Sequence, residues 1–531
     1  MHTNNEAVAV HPTSPKKYYD DDFYYDDYYD DASNLDALRR TKLSEIDNAD
    51  FQWFHIRACI VSGVGFFTDA YDLFVINLVS TMISIVYFDN NIPSIVDTGL
   101  KISAAIGTLI GQLVFGWCAD RYGRKKMYGL ELSLMIAATL GSALCANSFA
   151  VTLWGSLMFW RLILGIGIGG DYPLSAVITS EFATKKRRGA MMAAVFSMQG
   201  FGILSAAVIS VVTLALYKDL IAQNHQYVDH VWRIVLGFGA LPGVVALYFR
   251  LTIPETPRYT MDVLKDVEKA SRDIDVVLSN KANKDKETPV ISIEIPRATV
   301  KYQSLNYIGI GLNNAIILEA IGFADSADVY TSLWNMSVGN IIITMLGTVP
   351  GYWFTVFLID KWGRIKIQLM GFIVLTILFL ILGVAYNQIL NLSMPLFITI
   401  FTLCQLFQNF GPNATTFIIP GEIFPTRYRS TGHGISAASG KLGAIIAQVG
   451  FINLKDIGGK NMFVNRLILI FAIFMFIGIG STLLIPETMN LSLEELSNED
   501  QIGFIKKAKI NDENSTSKSA NNLSSVTSSS V

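Results

Sequence analysis

Charged residues are scarce in this chain, and their scarcity limits the class of protein it can be. Of its 531 residues only 16% are charged, whereas 51% are hydrophobic and the mean hydropathy is +0.40. Soluble domains carry about 25% charged residues. The composition therefore excludes an ordinary soluble protein and indicates an integral membrane protein.

Cysteine and histidine are also few. None of the four cysteines belongs to a CxxC pair, and the six histidines show no metal-ligand spacing. Cysteines placed in or beside apolar runs are typical of small core residues, so the pattern argues against a disulfide framework or a metal site. We expect no metal and no cofactor. The cysteines are Cys59, Cys118, Cys145 and Cys404.

Nucleotide motifs are missing as well. The chain has no GxxxxGK followed by Ser or Thr, which argues against an ATP-driven pump. The glycine-rich stretch 165–170 lies inside an apolar run, where it predicts close helix packing rather than a nucleotide loop. The polar start and the late first apolar run predict no cleaved signal peptide. We predict neither an enzyme nor a nucleic-acid partner.

Twelve apolar runs are long enough to cross a hydrocarbon core of about 30 Å. The run at 305–324 is the weakest, because it contains three asparagines and Glu319. We predict an all-α integral membrane protein with an atypical seventh span. The predicted spans are 56–82, 99–118, 128–147, 152–178, 189–216, 232–251, 305–324, 337–359, 367–386, 393–419, 431–452 and 464–485.

Basic residues concentrate after the second, fourth, eighth and tenth spans, and the alternate loops hold few. Because Lys and Arg in short loops are retained on the cytoplasmic side, both termini are predicted to be cytoplasmic. The basic residues are Arg121, Arg124, Lys125, Lys126, Lys185, Lys186, Arg187, Arg188, Lys361, Arg364, Lys366, Arg427 and Arg429.

Three motifs recur along the chain at nearly one offset. Asp360 lies 240 residues after Asp120, Glu422 lies 241 residues after Glu181, and the second Pro-Glu-Thr lies 232 residues after the first. Such repeats predict two six-helix halves related by a pseudo-two-fold axis, with substrate held between them. The predicted organisation is a polar tail 1–50, halves 51–252 and 304–489, a linker 253–303 between them, and a tail 490–531.

The repeated loops, D-R-x-G-R after the second span and D-K-x-G-R after the eighth, join helices in both halves. Their glycine permits a tight turn, and their arginines can pair with carboxylates or with helix C-termini of neighbouring helices. We predict a conformational gate, with topology alone, through retention of positive charge, as the alternative. The predicted gate residues are Asp120, Arg121, Arg124, Asp360, Arg364, Glu181 and Glu422.

The same repeat aligns polar residues within the spans. Asn413 lies 242 residues after Asp171, and Lys441 lies 242 residues after Gln199. A lysine with hydrogen-bonding neighbours suits a small anion, so we predict a substrate site formed by Tyr172, Gln199, Asn413 and Lys441. A carboxylate at that site makes sense only if Asp171 is protonated during loading, which predicts proton coupling.

Asp69 and Asp72 form a second acidic pair, because their spacing places both on one face of the first span. We predict that they handle protons together with Asp171. Several alternatives remain. Asp171 could instead pair with an arginine such as Arg161, and one of the two first-span aspartates could only cap or pair. Lys441 could extend to the cytoplasm. Glu131 and Glu319 are more typical of structural roles.

These motifs resemble the fungal phosphate:proton symporter family of the major facilitator superfamily, in which glycerophosphodiester permeases are relatives. The resemblance covers about 50–490, and it implies phosphate contacts for Tyr172, Gln199 and Asn413. It also implies an anion-binding role for Lys441 and proton handling by the three aspartates. The motifs that carry the resemblance are 63–72, 167–175, 254–259, 410–413 with 421–422, and 434–441.

One stretch departs from the family. Members carry W-x3-D-x3-Y in the seventh span, where this chain has Val300, Ser304 and Ile308. Either part of the phosphate cage has been replaced or the sequence lacks a segment. We predict a twelve-span plasma-membrane transporter that uses protons to take up inorganic phosphate. The alternatives are an organophosphate or glycerophosphodiester symporter, a phosphate sensor, and a transport-dead homologue.

Overall fold

The computed structural model describes residues 35–278, 318, 323, 328–454, 457–459 and 462–500. The chain divides into two units, one of residues 1–41 with 501–531 and one of residues 42–500. In the first unit the described residues 35–41 are helical. All regular structure described in the second unit is helical too. That unit contains every helix named below.

Eleven long helices form the described part of residues 42–500, and ten of them are long and apolar enough to cross a membrane. The other, α3, is less apolar, because it begins with three basic residues. The helices are α1 Trp53–Phe88, α2 Ser94–Tyr122, α3 Arg124–Ala143, α4 Leu153–Phe182, α5 Arg188–Leu216, α6 His225–Leu251, α7 Val329–Trp362, α8 Arg364–Val384, α9 Met394–Ile423, α10 Thr426–Leu454 and α11 Val464–Thr482.

Several long helices are interrupted near the polar sites described below. Helix α1 is broken at Val75, α6 at Gly239 and α9 at Phe410 and Gly411, where Pro412 starts the second segment. Proline fits this first position because its missing N–H has no partner there in any case. Helix α7 contains a π-helical turn at Thr344–Thr348. Short helices lie at Lys218–Gln223, Pro257–Asp262, Val267–Leu278, Tyr386–Leu392 and Leu493–Ser497.

Each of the eleven helices overlaps one predicted span, so the prediction of an all-α membrane protein is confirmed. Several helices exceed the predicted spans, as does α2, which extends beyond 99–118 at both ends, whereas α11 ends at Thr482, before the predicted end at 485. Hydropathy marks the hydrocarbon-crossing part, whereas a helix continues into the interface. The seventh span, 305–324, lies outside the described residues except for Leu318 and Phe323. The count of twelve and the shape of that span therefore remain predictions.

Glycines let α2 and α4 pack at close range. A Cβ added at Gly107 or Gly165 would lie 2.1 Å from a backbone oxygen of the facing helix. Small residues allow this approach between membrane helices. The predicted packing role of the 165–170 stretch is therefore supported.

Two further contacts join the predicted halves. Helix α2 packs against α10, where a Cβ on Gly434 would lie 2.2 Å from the Gln112 carbonyl oxygen. Helix α5 packs against α7, where a Cβ on Gly200 would lie 3.1 Å from the Tyr352 ring. The internal repeat relates these two contacts to each other. Side chains from both halves meet in the space between them.

Candidate functional site

A cluster of amides and tyrosines lies where the halves meet. The Gln199 amide donates to the Tyr172 hydroxyl at 2.8 Å, and the Tyr352 hydroxyl donates to Gln199 Oε1 at 3.3 Å. The Asn413 amide donates to the Tyr352 hydroxyl at 2.7 Å and to Asn409 Oδ1 at 2.8 Å. All five side chains are buried. We call them the amide–tyrosine cluster; helices α4, α5, α7 and α9 supply it.

Lys441 adds a positive charge to this cluster. Its side chain is only 4% exposed, and Nζ lies 4.8 Å from the centroid of the Tyr172 ring. That geometry is a cation–π contact. The ammonium group also interacts electrostatically with Asp69. The alternative in which Lys441 extends to the cytoplasm is therefore wrong for this structure, and all four residues predicted for substrate binding lie together.

Two members of the cluster were missed by sequence reasoning. Asn409 lies one helical turn before Asn413, so the spacing alone could have placed it on the same face. Tyr352 carried a weaker signal, because an isolated tyrosine in an apolar span usually packs as a core residue. Its hydroxyl links the α5 amide to the α9 amide, so Tyr352 connects the two halves.

The sequence predicts that Asp171 lies at the anion site, but in the structure its carboxylate does not face the amide–tyrosine cluster. Its carboxylate forms an ion pair with Arg250 at 2.6 Å and accepts a hydrogen bond from Ser175 at 2.5 Å. The predicted alternative partner, Arg161, donates instead to the Leu100 carbonyl at 3.1 Å and to the Asp72 carbonyl at 3.3 Å. The repeat predicted how deep in the span Asp171 lies but not which way its side chain points. The reason is that Arg250 does not align with a charged residue in the other half.

Arg250 also contacts a second carboxylate. Its Nη1 lies 2.5 Å from Glu131 Oε1, and its guanidinium carbon lies 3.9 Å from the centroid of the Tyr128 ring. Gly65 of α1 provides the space, because a Cβ there would lie 1.6 Å from Arg250 Nη2. We call Asp69, Glu131, Asp171 and Arg250 the acid cluster.

Asp69 belongs to the acid cluster without a direct hydrogen bond. Both carboxylate oxygens are buried, and neither has a hydrogen-bond partner among the described residues. The carboxylate interacts electrostatically with Asp171, Arg250, Glu131 and Asp72. A buried carboxylate in this state is costly when ionised. Asp69 is therefore suited to carry a proton.

Asp72 lies apart from the acid cluster, although it shares a helical face with Asp69. Thr139 donates to its Oδ2 at 2.7 Å, and Arg161 acts on it electrostatically. The break of α6 at Gly239 accommodates it, since a Cβ there would lie 2.1 Å from Asp72 Oδ1. The predicted pair is thus divided between two environments.

The D-R-x-G-R loop after α2 binds the start of α10. Asp120 accepts hydrogen bonds from the Thr431 N–H at 2.7 Å and from the Ser430 N–H at 3.2 Å. These are N-terminal amides of a helix, which favour a carboxylate. Arg124 lies 3.5 Å from Glu181, which also pairs with Arg429 at 3.0 Å. This network joins the two halves.

The second loop repeats the arrangement. Asp360 accepts from the Ala190 N–H at 2.8 Å, near the start of α5, and Arg364 pairs with Asp360 at 3.0 Å and with Glu422 at 2.8 Å. Six of the seven predicted gate residues therefore form two equivalent networks. Arg121 is the exception: its side chain is exposed and lies outside both networks.

The repeated Pro-Glu-Thr motifs complete these loops. Glu255 accepts from the Arg124 and Lys125 N–H groups, and Glu487 accepts from those of Arg364 and Ile365. Each glutamate therefore caps the start of a helix.

The loop glycines match these caps. Gly123 and Gly363 have φ values of 103° and 93°, which favour glycine, and a Cβ on either would approach the capping carboxylate within 2.7 Å. Burial raises the pKa of Glu255, although the Thr256 N–H and Arg124 act against it.

Segments outside the long helices form further ion pairs at the end of the protein where these loops lie. Arg258 pairs with Glu494 at 2.7 Å and with Asp47 at 2.8 Å, and Asp47 also pairs with Arg188 at 3.1 Å. Burial alone would raise the pKa of Glu494, but the Arg258 guanidinium outweighs it and lowers the pKa to about 2. These ion pairs tie the segment before α1 to α5 and to the linker, and the segment after α11 to the linker.

Metal chemistry finds no support in the part of the chain that the structure describes. There, no three His, Cys, Asp or Glu side chains are grouped so as to hold a metal ion. The polar groups available are amides, hydroxyls, carboxylates and cations. Such groups bind an anion and exchange protons.

Comparisons with known proteins define the class. Residues 58–499 match the family model described as "Sugar (and other) transporter". A solved structure of the major facilitator superfamily proton:xylose symporter XylE covers 83% of this chain and 98% of its own, with a TM-score of 0.61 and 19% identity. The chain belongs to this transporter family and has the major facilitator fold.

Two relatives show which transporters this chain resembles within the family. The chain is 48% identical to the repressible high-affinity phosphate permease of Neurospora crassa, over 87% of this chain and 89% of that one. It is 42% identical to the inorganic phosphate transporter PHO84 of Saccharomyces cerevisiae, over 86% and 87%. The expected resemblance to fungal phosphate transporters is therefore confirmed.

The alignment also bears on the missing W-x3-D-x3-Y motif. It runs over 512 residues with the Neurospora permease, whereas 87% of this 531-residue chain is about 462 residues. About 50 aligned positions therefore have no counterpart in this chain. A segment missing before the seventh span, one of the two explanations for the departure there, would account for such a shortfall.

Proposed function

We propose that this protein is a proton-coupled transporter that takes up inorganic phosphate across the plasma membrane. The observation that carries the proposal is the cluster of Tyr172, Gln199, Tyr352 and Asn413 with Lys441 beside it, enclosed by helices of both halves. Four hydrogen-bonding side chains and one cation suit a small tetrahedral anion. The relatives named as phosphate permease and phosphate transporter support the same substrate.

Charge balance supports proton coupling. The described interior near the two clusters contains four carboxylates and three cations, so full ionisation leaves one uncompensated negative charge. A bound phosphate anion adds at least one more. Excess charge is costly at this depth, so proton uptake accompanies phosphate binding. The carboxylates are Asp69, Asp72, Glu131 and Asp171, and the cations are Arg161, Arg250 and Lys441.

Alternating access follows from the networks at the basic end. The contacts of Asp120 with α10 and of Asp360 with α5 hold the halves together there. We assign that end to the cytoplasm because the basic loops cluster at it. Both termini are then cytoplasmic, and the described state is closed toward the cytoplasm. Opening requires both networks to separate.

Uptake into proteoliposomes tests the proposal. Purified protein should accumulate radiolabelled phosphate when the outside is acidic, and a protonophore should abolish the accumulation. Vesicles without protein and vesicles at equal pH are the controls. Absence of acid-driven accumulation by correctly folded protein would overturn the assignment.

A glycerophosphodiester remains the second candidate because of the departure at Val300, Ser304 and Ile308. Excess glycerophosphocholine should leave phosphate uptake unchanged if phosphate is the substrate. Inhibition, together with uptake of labelled glycerophosphocholine itself, would favour the second candidate.

A further inference from the structure

We infer that Arg250 is the internal counter-ion that competes with the proton for Asp171, and that Glu131 holds Arg250 when Asp171 is protonated. The inference rests on the proposed proton coupling and adds two positioning residues to it. Its basis is the bridging geometry, in which Nη2 contacts Asp171 at 2.6 Å and Nη1 contacts Glu131 at 2.5 Å.

The charge within this cluster does not balance. One guanidinium faces three buried carboxylates, those of Asp69, Glu131 and Asp171, and all four side chains are completely or almost completely shielded from solvent. Arginine remains charged under all ordinary conditions. Even with Lys441, which acts electrostatically on Asp69, full ionisation would leave one negative charge uncompensated, so the cluster must hold a proton. Arg250 determines which carboxylate remains ionised.

The remaining surroundings of Arg250 cannot take over this role. Helix α3 contributes Tyr128, whose ring lies under the guanidinium and whose carbonyl oxygen accepts from Nη1 at 3.4 Å. Helix α1 contributes Gly65 and Asp69, and α4 contributes Ser175 through its bond to Asp171. None of these residues supplies a second cation.

A balanced proton step follows from this arrangement. A proton that reaches Asp171 forms an O–H bond at Oδ2 and neutralises the carboxylate. Arg250 then keeps its charge and its contact with Glu131 alone. When the O–H bond breaks and the proton leaves, Nη2 pairs with Asp171 again. Only one proton moves, and the shared guanidinium keeps the cost of each state low.

The pseudo-symmetry shows that a cation at this position is not required by the fold. The offset of 232 residues that relates the Pro-Glu-Thr motifs places Thr482 opposite Arg250. Thr482 accepts a neutral hydrogen bond from Gln368 at 3.1 Å. The fold can therefore be completed without charge at this position, so the arginine serves a purpose other than packing.

The test compares two activities of reconstituted protein. Accumulation driven by an acidic exterior requires protons to be released, whereas exchange of internal for external phosphate at equal pH does not. In Arg250→Met, accumulation should fall by at least about tenfold while most of the exchange remains. Arg250→Lys should restore part of the accumulation. Arg233→Met is the matched control, because Arg233 is an ion-paired arginine on the same helix but outside the acid cluster.

Glu131→Gln provides a milder second variant in case Arg250→Met does not fold. Without Glu131, Arg250 loses the carboxylate that holds it away from Asp171, so a higher proton concentration should be needed to displace Arg250 from Asp171. The pH profile of accumulation should then shift toward acid by about one unit, a tenfold change in proton concentration.

Three results would overturn the inference: wild-type accumulation in Arg250→Met, parallel loss of exchange and accumulation in folded Arg250→Met, or an unshifted profile in Glu131→Gln. Failure of the wild-type protein to accumulate phosphate would instead overturn the proposed function.

Discussion

The two halves share one fold but differ in the chemistry of their interiors. Near the two clusters, the described interior of the N-terminal half contributes four carboxylates and two arginines, whereas that of the C-terminal half contributes mainly amides with Lys441. The positions correspond: Glu131, Asp171 and Arg250 match Gly371, Asn413 and Thr482 at the repeat offsets. A charged triad in one half is neutral in the other.

This difference indicates a division of labour. Carboxylates bind and release protons. Amides and hydroxyls keep one protonation state over the physiological pH range and bind an anion through directed hydrogen bonds. Gln199 and Tyr172 extend from the first half into the amide–tyrosine cluster, and Lys441 extends back toward Asp69. The proposed proton and anion sites are therefore adjacent but chemically distinct, which allows each to influence the other.

The largest expected effect comes from removing the difference at Asp171. Asp171→Asn should abolish accumulation driven by a pH gradient, because the amide cannot bind and release a proton. Asn413→Asp, the reverse exchange at the matching position, should instead reduce phosphate binding through repulsion of the anion. Measurement of accumulation and of binding for both variants distinguishes the two roles. Normal acid-driven accumulation by Asp171→Asn would show that Asp171 is structural.

Lys441 should contribute more to anion binding than Gln199 does. Hydrogen bonds to charged groups contribute about 1.5–3 kcal/mol against about 1 kcal/mol for neutral ones. Lys441→Ala should therefore weaken phosphate binding by about 10- to 100-fold, and Gln199→Ala by about 5-fold. Lys441→Arg, which keeps the charge, is the control. Equal losses, measured by titration calorimetry on purified protein, would place Lys441 outside the site.

The two gate networks should contribute to closure of the basic end in a similar way, because their geometry is equivalent. Arg124→Ala and Arg364→Ala should each increase opening at that end several-fold, since the first removes the cation paired with buried Asp120 and the second removes the cation paired with buried Glu422. The measurement is the labelling rate of Ala183→Cys, a buried position beside the gate, in a background without other cysteines.

Arg121→Ala is the matched control for this gate prediction. Arg121 belongs to the same loop as Arg124, but its side chain is exposed. Its removal should leave the labelling rate unchanged. An increase equal to that of Arg124→Ala would show that loop charge, rather than the buried network, closes this end.

Much of the architecture could be predicted because hydropathy and the repeat are properties of the sequence itself. The four residues predicted to bind the anion lie together because repeat positions at equal depth meet at the pseudo-two-fold axis. Arg250 was not found, since its contact with Asp171 depends on how α6 is rotated against α4, and the matching residue is neutral. Arg121 was predicted as a gate residue but is exposed in the structure, because a loop motif does not reveal which of two arginines is buried.

The smallest expected effect concerns the ion pair that joins the segment after α11 to the linker at the basic end. Glu494 has a pKa of about 2 in the folded protein, because pairing with Arg258 outweighs its burial. An unfolded glutamate has a pKa of about 4.3. A lowered pKa stabilises the folded state above pH 4.3, and this stabilisation is lost as the pH falls from there toward 2.

Glu494→Gln should therefore lower the apparent melting temperature of detergent-solubilised protein by about 2–5 °C at pH 6. The difference from wild type should shrink as the pH falls toward 3, because the wild-type glutamate becomes protonated there. Glu495→Gln is the control: Glu495 pairs with Lys185 at 3.1 Å, and both side chains are about a third exposed, so solvent weakens the pair. A difference between Glu494→Gln and wild type that stays constant between pH 6 and pH 3 would show that Glu494 acts by packing, and that its charge does not join this segment to the linker.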